Sequence, residues 1–171
     1  MEISIQNLLI DQIKEELTSS HVYLEYAVKC SLEGLQGCYE FFKRQSLEER
    51  EHAMRIVDYL TSEKIPFCIP FNLDTDVPCF KDILTTCENS LDQELHITEC
   101  FTTIRNECIA KKDYKTLNFT DWFVTEQQEE ESMFRTIIDK IKLIGDVPER
   151  LYLIDQEISK INVQLLQELT Y

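Results

Sequence analysis

The sequence predicts an all-α fold: a four-helix bundle with one long crossover and a short fifth helix at the C-terminus. Three observations predict it. The three glycines and four prolines fall in only three windows, Gly34–Gly37, Pro66–Pro78 and Gly145–Pro148, so long stretches between them carry no helix breaker. Apolar residues inside those stretches recur at alternating steps of three and four, the repeat of one buried helix face. The middle window is much longer than the other two, long enough to carry the chain from one end of a bundle to the other.

The first helix is expected from about Ile5 to Leu32 and the second from about Cys38 to Lys64. The stretch from about Phe80 to Leu143 is too long for one globular helix. Its polar cluster Lys111-Lys112-Asp113-Tyr114-Lys115 divides it into a third helix, about Phe80 to Ala110, and a fourth, about Thr116 to Leu143. A fifth, about Glu149 to Leu166, follows Pro148. The four main helices hold about 27 to 31 residues each, so roughly 40 to 45 Å. Short connections make the first pair and the second pair antiparallel neighbours. The crossover, about Ile65 to Cys79, reaches at most about 50 Å when extended, which spans the bundle.

Each helix then has one inward line. They are Leu9, Ile13, Glu16, Ser20, Tyr23, Ala27; Phe42, Gln45, Glu49, His52, Ile56, Tyr59; Cys87, Leu91, Glu94, Thr98, Phe101; and Thr120, Phe123, Gln127, Glu130, Phe134, Ile137, Ile141. Each is apolar toward its ends and polar in the middle, at a depth that lets the four polar segments meet. A buried carboxylate costs several kcal/mol unless it is paired or bound to a cation. Near this layer the inward lines carry no Lys or Arg, so raised carboxyl pKa values or a bound metal must relieve the repulsion. A metal is the simpler answer.

The spacing sharpens that reading. Glu49 follows Glu16 by 33 positions and His52 follows it by 36; Gln127 follows Glu94 by 33 and Glu130 by 36. Both halves of the chain therefore place one carboxylate on a helix and a pair at i, i+3 on the next, where both members share a face. Glu49-Arg50-Glu51-His52 is the Glu-x-x-His element by which carboxylate-bridged di-iron bundles hold metal. Carboxylate oxygens with one imidazole suit Fe(II) or Mn(II), and also accept Zn(II).

Bulk composition agrees. The chain has 171 residues, read as a single domain over 1–171, with 43% hydrophobic residues and a formal net charge of −15. That charge argues against nucleic acid or an anionic membrane as partner. No apolar run is long enough to span a bilayer. The N-terminus lacks the basic start and small-residue cleavage site of a signal peptide, which predicts a cytoplasmic protein. Seven cysteines without a Cys-x-x-Cys pair read as reduced, mostly buried thiols. The lone histidines His21 and His96 read as surface or packing residues.

The sequence resembles the non-haem bacterial ferritins over nearly its whole length. The resembling segments are Glu16-Leu17-Thr18-Ser19-Ser20 with Tyr23; Leu47-Glu48-Glu49-Arg50-Glu51-His52; Asp58-Tyr59-Leu60; Glu94 with Ile97-Thr98; Asp113-Tyr114 with Asn118-Phe119; Asp121 through Glu131; and Leu151-Tyr152-Leu153-Ile154-Asp155. The resemblance implies a ferritin-like fold, and a hollow 24-subunit shell that stores a ferric mineral. It also implies a centre that oxidises Fe(II) with O2 or H2O2. Glu16, Glu49 and His52 would hold the first iron, with Glu49 bridging. Glu94 and Glu130 would hold the second, with Gln127 close by. Glu48, Glu126, Glu129 and Glu130 match a third iron site; without the resemblance the first three read as a solvated acidic face. Tyr23 and Trp122 match aromatic residues beside the centre, where either would donate an electron, and both also read as core packing.

Two departures argue against a haem-containing bacterioferritin. Gln127 and Glu130 replace its second Glu-x-x-His, and Arg50 stands where its haem-binding methionine would follow Glu49, so no haem is expected. The missing imidazole also predicts a weaker-held second iron. A catalytically silent assembly subunit is the alternative of a different class, and the complete ligand set argues against it.

Overall fold

The computed structural model describes residues 1–69, 81–145 and 148–168. These residues form six α-helices: α1 Ile3–Leu32, α2 Gln36–Ser62, α3 Ile83–Lys111, α4 Tyr114–Phe119, α5 Asp121–Ile144 and α6 Leu151–Glu168. A 3-10 turn, Pro148–Arg150, leads into α6. Among the described residues none lies in a β-strand, and no helix is long and apolar enough to cross a membrane.

Helix ends follow local chemistry. Gly34 closes α1 at φ +77°, where the Leu35 amide donates back to the Cys30 carbonyl at 2.9 Å. Lys64 and Lys112 take the same left-handed role after α2 and α3, at the modest cost such residues incur. Asp82 caps α3 by accepting from the Thr85 amide at 2.6 Å, and Asp113 caps α4 by accepting from the Thr116 amide at 3.1 Å. These caps satisfy amides that the first turn leaves without partners.

α1 and α2 form an antiparallel hairpin, joined for example by Ser20 Oγ donating to the Ser46 carbonyl at 2.7 Å. α1 is also antiparallel to α3: Ser4 Oγ donates to Glu107 at 2.6 Å near one end, and Gln93 Nε2 donates to Ser19 Oγ at 3.0 Å further along. α2 and α3 therefore run parallel. The chain leaves α2 at one end of the bundle and begins α3 at the other, as the expected crossover requires; residues 70–80 of that crossover lie outside the described residues.

Two elements differ from expectation. The predicted fourth helix is broken at Thr120 into α4 and α5. Thr120 Oγ1 turns back to donate to the Leu117 carbonyl at 2.7 Å, and Arg105 Nη1 donates to Thr120 Oγ1 at 2.8 Å and Asp121 Oδ1 at 2.7 Å. A guanidinium from α3 thus holds the irregular turn. Gly37, expected in a loop, lies in the first turn of α2. A Cβ there would stand 2.4 Å from the Asp155 carbonyl oxygen and 2.9 Å from Ser159 Cβ. Glycine allows α6 to lie directly on α2, and Asp155 Oδ1 accepts from the Cys38 amide at 2.8 Å.

Among the described residues the core is two apolar clusters. One gathers Tyr23, Tyr26, Phe41, Phe42, Cys87, Phe134, Ile137, Ile141 and, from α6, Ile154 and Ile158. The other gathers Leu9, Ile13, Ile56, Leu60, Ile97, Phe101 and Phe123. On every long helix the chain passes from one cluster to the other across the polar residues of its inward line.

Candidate metal centre

Glu16, Glu49, His52, Glu94, Gln127 and Glu130 are all at most 4% exposed. They form the layer between the two apolar clusters. α1 supplies Glu16 after Ile13, α2 supplies Glu49 and His52 before Ile56, α3 supplies Glu94 before Ile97, and α5 supplies Gln127 and Glu130 before Phe134. Their helical spacing alone brings them inward, because the apolar residues one turn to either side are locked in the core.

Two triads gather ligand atoms within 4.8 Å of one another among the described residues: Glu16, Glu49 and His52, and Glu49, Glu94 and Glu130. Glu49 belongs to both. His52 Nδ1 lies 3.4 Å from Glu49 Oε2 and 3.9 Å from Glu16 Oε2, so this ring nitrogen faces the first triad.

Among the described residues, four buried carboxylate oxygens have no hydrogen-bond partner: Glu16 Oε2, Glu49 Oε1 and both oxygens of Glu130. Orphaned buried acceptors are costly and call for an explanation; a cation between the carboxylates supplies one. Burial holds the carboxyl groups of Glu16, Glu49 and Glu130 above the usual range. For Glu49 and Glu130, neighbouring carboxylates push further in the same direction. Glu94 is pushed up to about 8, chiefly by burial. Each upward shift favours the protonated carboxyl, whose proton a divalent cation would displace.

The remaining oxygens are oriented by donors. Gln12 Nε2 donates to Glu16 Oε1 at 3.0 Å. Tyr23 donates its hydroxyl to Glu94 Oε1, and Gln127 Nε2 donates to Glu94 Oε2 at 2.9 Å. Gln127 thus offers Glu94 a donor here. Burial and the Glu94 and Glu49 charges keep the Tyr23 phenol well above its usual pKa, so it stays a donor. Gln12 was not among the sequence candidates, although its place one helical turn before Glu16 was a usable signal.

The outer acidic residues are arranged differently. Glu48 is partly exposed and paired with Arg44, Glu126 is half-buried and Glu129 is exposed. Glu126 is raised by burial, with Glu48 and Glu129 adding to the effect. These residues join neither close triad. Trp122 stands beside the centre, its ring 5.4 Å from that of His52 in an edge contact, with the Arg55 guanidinium carbon 3.9 Å from the Trp122 ring centroid. His96 is half-exposed at the surface, in keeping with the sequence reading.

Comparison with known proteins agrees with this fold. The family model named Ferritin, described as a ferritin-like domain, matches residues 6–144. A bacterial non-heme ferritin of Campylobacter jejuni is 35% identical over 157 residues, covering 92% of this chain and 93% of the relative. One of Staphylococcus aureus is 36% identical over 152 residues, covering 88% and 90%. Among solved structures, a humanized archaeal ferritin superposes with a TM-score of 0.87 at 28% identity, covering 93% of this chain and 97% of that one. An open-pore ferritin from Archaeoglobus fulgidus gives 0.80 at 28% identity, covering 93% and 96%. With the fold, the matched segment and these relatives in agreement, the chain belongs to the ferritin family.

Proposed function

We propose that this protein stores iron, and that the buried layer is a ferroxidase centre which oxidises Fe(II) substrate with O2 or H2O2. One observation carries the reading: Glu49 joins a Glu-Glu-His triad to a three-carboxylate triad in a core layer whose oxygens lack partners. Hard oxygen donors with one imidazole fit ferrous iron. In this reading Glu16, Glu49 and His52 hold one iron, while Glu49, Glu94 and Glu130 hold the second.

The protein's own groups do the rest. Tyr23 and Gln127 fix Glu94, and Gln12 fixes Glu16. Phe123 and Phe134 flank the layer with apolar surface that excludes bulk water. The second position has no imidazole and competes with protons on three carboxyl groups, so it is the weaker one. Glu48, Glu126 and Glu129 lead outward from Glu130 and would receive ferric ions leaving the centre. Tyr23 is hydrogen-bonded to Glu94, whereas Trp122 only packs its ring against His52, so Tyr23 is the better placed to supply an electron. Copies of the chain would assemble into a 24-subunit shell enclosing the mineral. The free thiols among the described cysteines suit a reducing cytoplasm.

The test is anaerobic addition of Fe(II) followed by air, with ferric-oxo absorbance recorded. The reading expects oxidation well above that of iron in buffer, and near-buffer rates after Glu16→Ala with His52→Ala. A wild-type protein no faster than buffer, or a double variant as fast as wild type, would sink the assignment.

A further inference from the structure

His96 and Cys100 are left outside the iron chemistry. They lie four residues apart on α3, so they share a helix face. Cys100 Sγ is 3.6 Å from His96 Nε2. From the neighbouring α1, Glu15 Oε2 approaches the same nitrogen at 3.4 Å. Three ligand types, thiol, imidazole and carboxylate, therefore converge on one ring nitrogen at the outside of the bundle.

We propose that Glu15, His96 and Cys100 form a second metal site, separate from the buried layer, for a borderline-soft divalent cation of the zinc class. The distances have the right size. A tetrahedral zinc with bonds of about 2.0 Å to nitrogen, 2.1 Å to oxygen and 2.3 Å to sulfur sets nitrogen-to-sulfur and nitrogen-to-oxygen edges of about 3.4 to 3.6 Å. Both observed edges match. The third edge, carboxylate to thiol, must close on binding, and the Glu15 side chain, 31% exposed, has room to turn toward Cys100. Water completes the tetrahedron.

The charge balance also fits. Burial pushes the Cys100 thiol up to about 11, and the Glu15, Glu16 and Glu99 carboxylates add to this. The pocket resists further negative charge and favours a cation. On binding, the thiol proton leaves to solvent, the imidazole coordinates through Nε2, and thiolate with carboxylate neutralises the divalent charge. Thiolate and imidazole select zinc-class ions over ferrous iron, whereas the buried layer is mostly carboxylate.

Cobalt(II) is the probe, added to the metal-free assembled protein. It will also enter the buried layer, but that layer holds no sulfur. The proposal expects a sulfur-to-cobalt charge-transfer band that saturates with one cobalt per subunit and is bleached by Zn(II). The band is absent in Cys100→Ser. In His96→Ala the apparent Kd rises at least about tenfold, the minimum for losing a ligand when second-shell losses already cost that much. Ferrous oxidation in His96→Ala stays at the wild-type rate. A wild-type protein without the band, or a band that survives Cys100→Ser, overturns the proposal. Should Cys100→Ser fail to fold, unchanged cobalt affinity in His96→Ala, at a half-exposed position, overturns it equally.

Discussion

Replacing Glu94 by Gln should stabilise the metal-free protein while weakening its second metal position. Glu94 is fully buried, and burial raises its carboxyl group from 4.5 to about 8. The sign follows directly. The folded state holds this proton at pH values where the unfolded chain has released it, so stability is full below about pH 4.5 and is lost as pH rises toward 8. Each pH unit in that window removes about 1.4 kcal/mol. At pH 7 the loss from this one group is roughly 3 kcal/mol relative to pH 4. A glutamine carries no such cost. Its carboxamide oxygen can still accept from Tyr23, and the Gln127 amide can turn to meet its NH2. Urea denaturation of chelator-treated protein, at fixed subunit concentration, measures the effect. At a slope of about 1 to 3 kcal/mol per molar urea, Glu94→Gln should raise the midpoint by about 1 M or more at pH 7 and by much less at pH 4.5. Because Glu16, Glu49 and Glu130 are raised as well, the variant keeps part of the pH slope. Wild-type stability that stays flat or climbs between pH 5 and 8, or a variant no more stable than wild type at pH 7, would refute the argument that unrelieved carboxylates strain the layer.

Four further variants probe three separate parts of the structure. Glu49→Ala removes the residue shared by both triads, so anaerobic calorimetry with Fe(II) should find no metal in the core, whereas His52→Ala should keep the three-carboxylate position; two bound irons in Glu49→Ala would contradict the shared-ligand geometry. Tyr23→Phe leaves Glu94 Oε1 buried without its donor and should cost about 1 to 3 kcal/mol in urea denaturation, with slower iron oxidation; equal stability would show that the hydroxyl contributes nothing there. Gly37→Ala drives a methyl into the Asp155 carbonyl and should cost about 1 to 3 kcal/mol. It should also loosen α6, visible as earlier proteolysis of the C-terminal segment, and wild-type melting with an intact C-terminus would argue against the close contact.

The inward lines were legible because helical period and burial are coupled. Leu9, Ile13, Ile56, Phe123 and Phe134 could face only the core, and that fixed the direction of Glu16, Glu49, His52, Glu94 and Glu130 between them. Even Gln127, apolar in neither character nor role, followed from its place on the line. Less of the supporting set was visible. Gln12 lies off the chosen line, yet its amide reaches Glu16 from one turn away. The break at Thr120 depends on Arg105 of another helix, and no pattern within residues 116–143 announces it. Gly37 looked like a loop glycine, because its reason for being glycine lies in α6, more than a hundred positions away.

The sequence by itself determined the long helical segments, their apolar faces, the depth of the polar layer and the identity of its carboxylates and imidazole. Those properties are set by local periodicity, which repeats along one chain segment. Only the tertiary structure decided which oxygens share a triad, that Glu49 joins both, which donors hold Glu94 and Glu16, and that His96, Cys100 and Glu15 converge at the surface. Such facts depend on distances between helices that are remote in sequence, and a helical repeat says where a side chain points without saying what it meets.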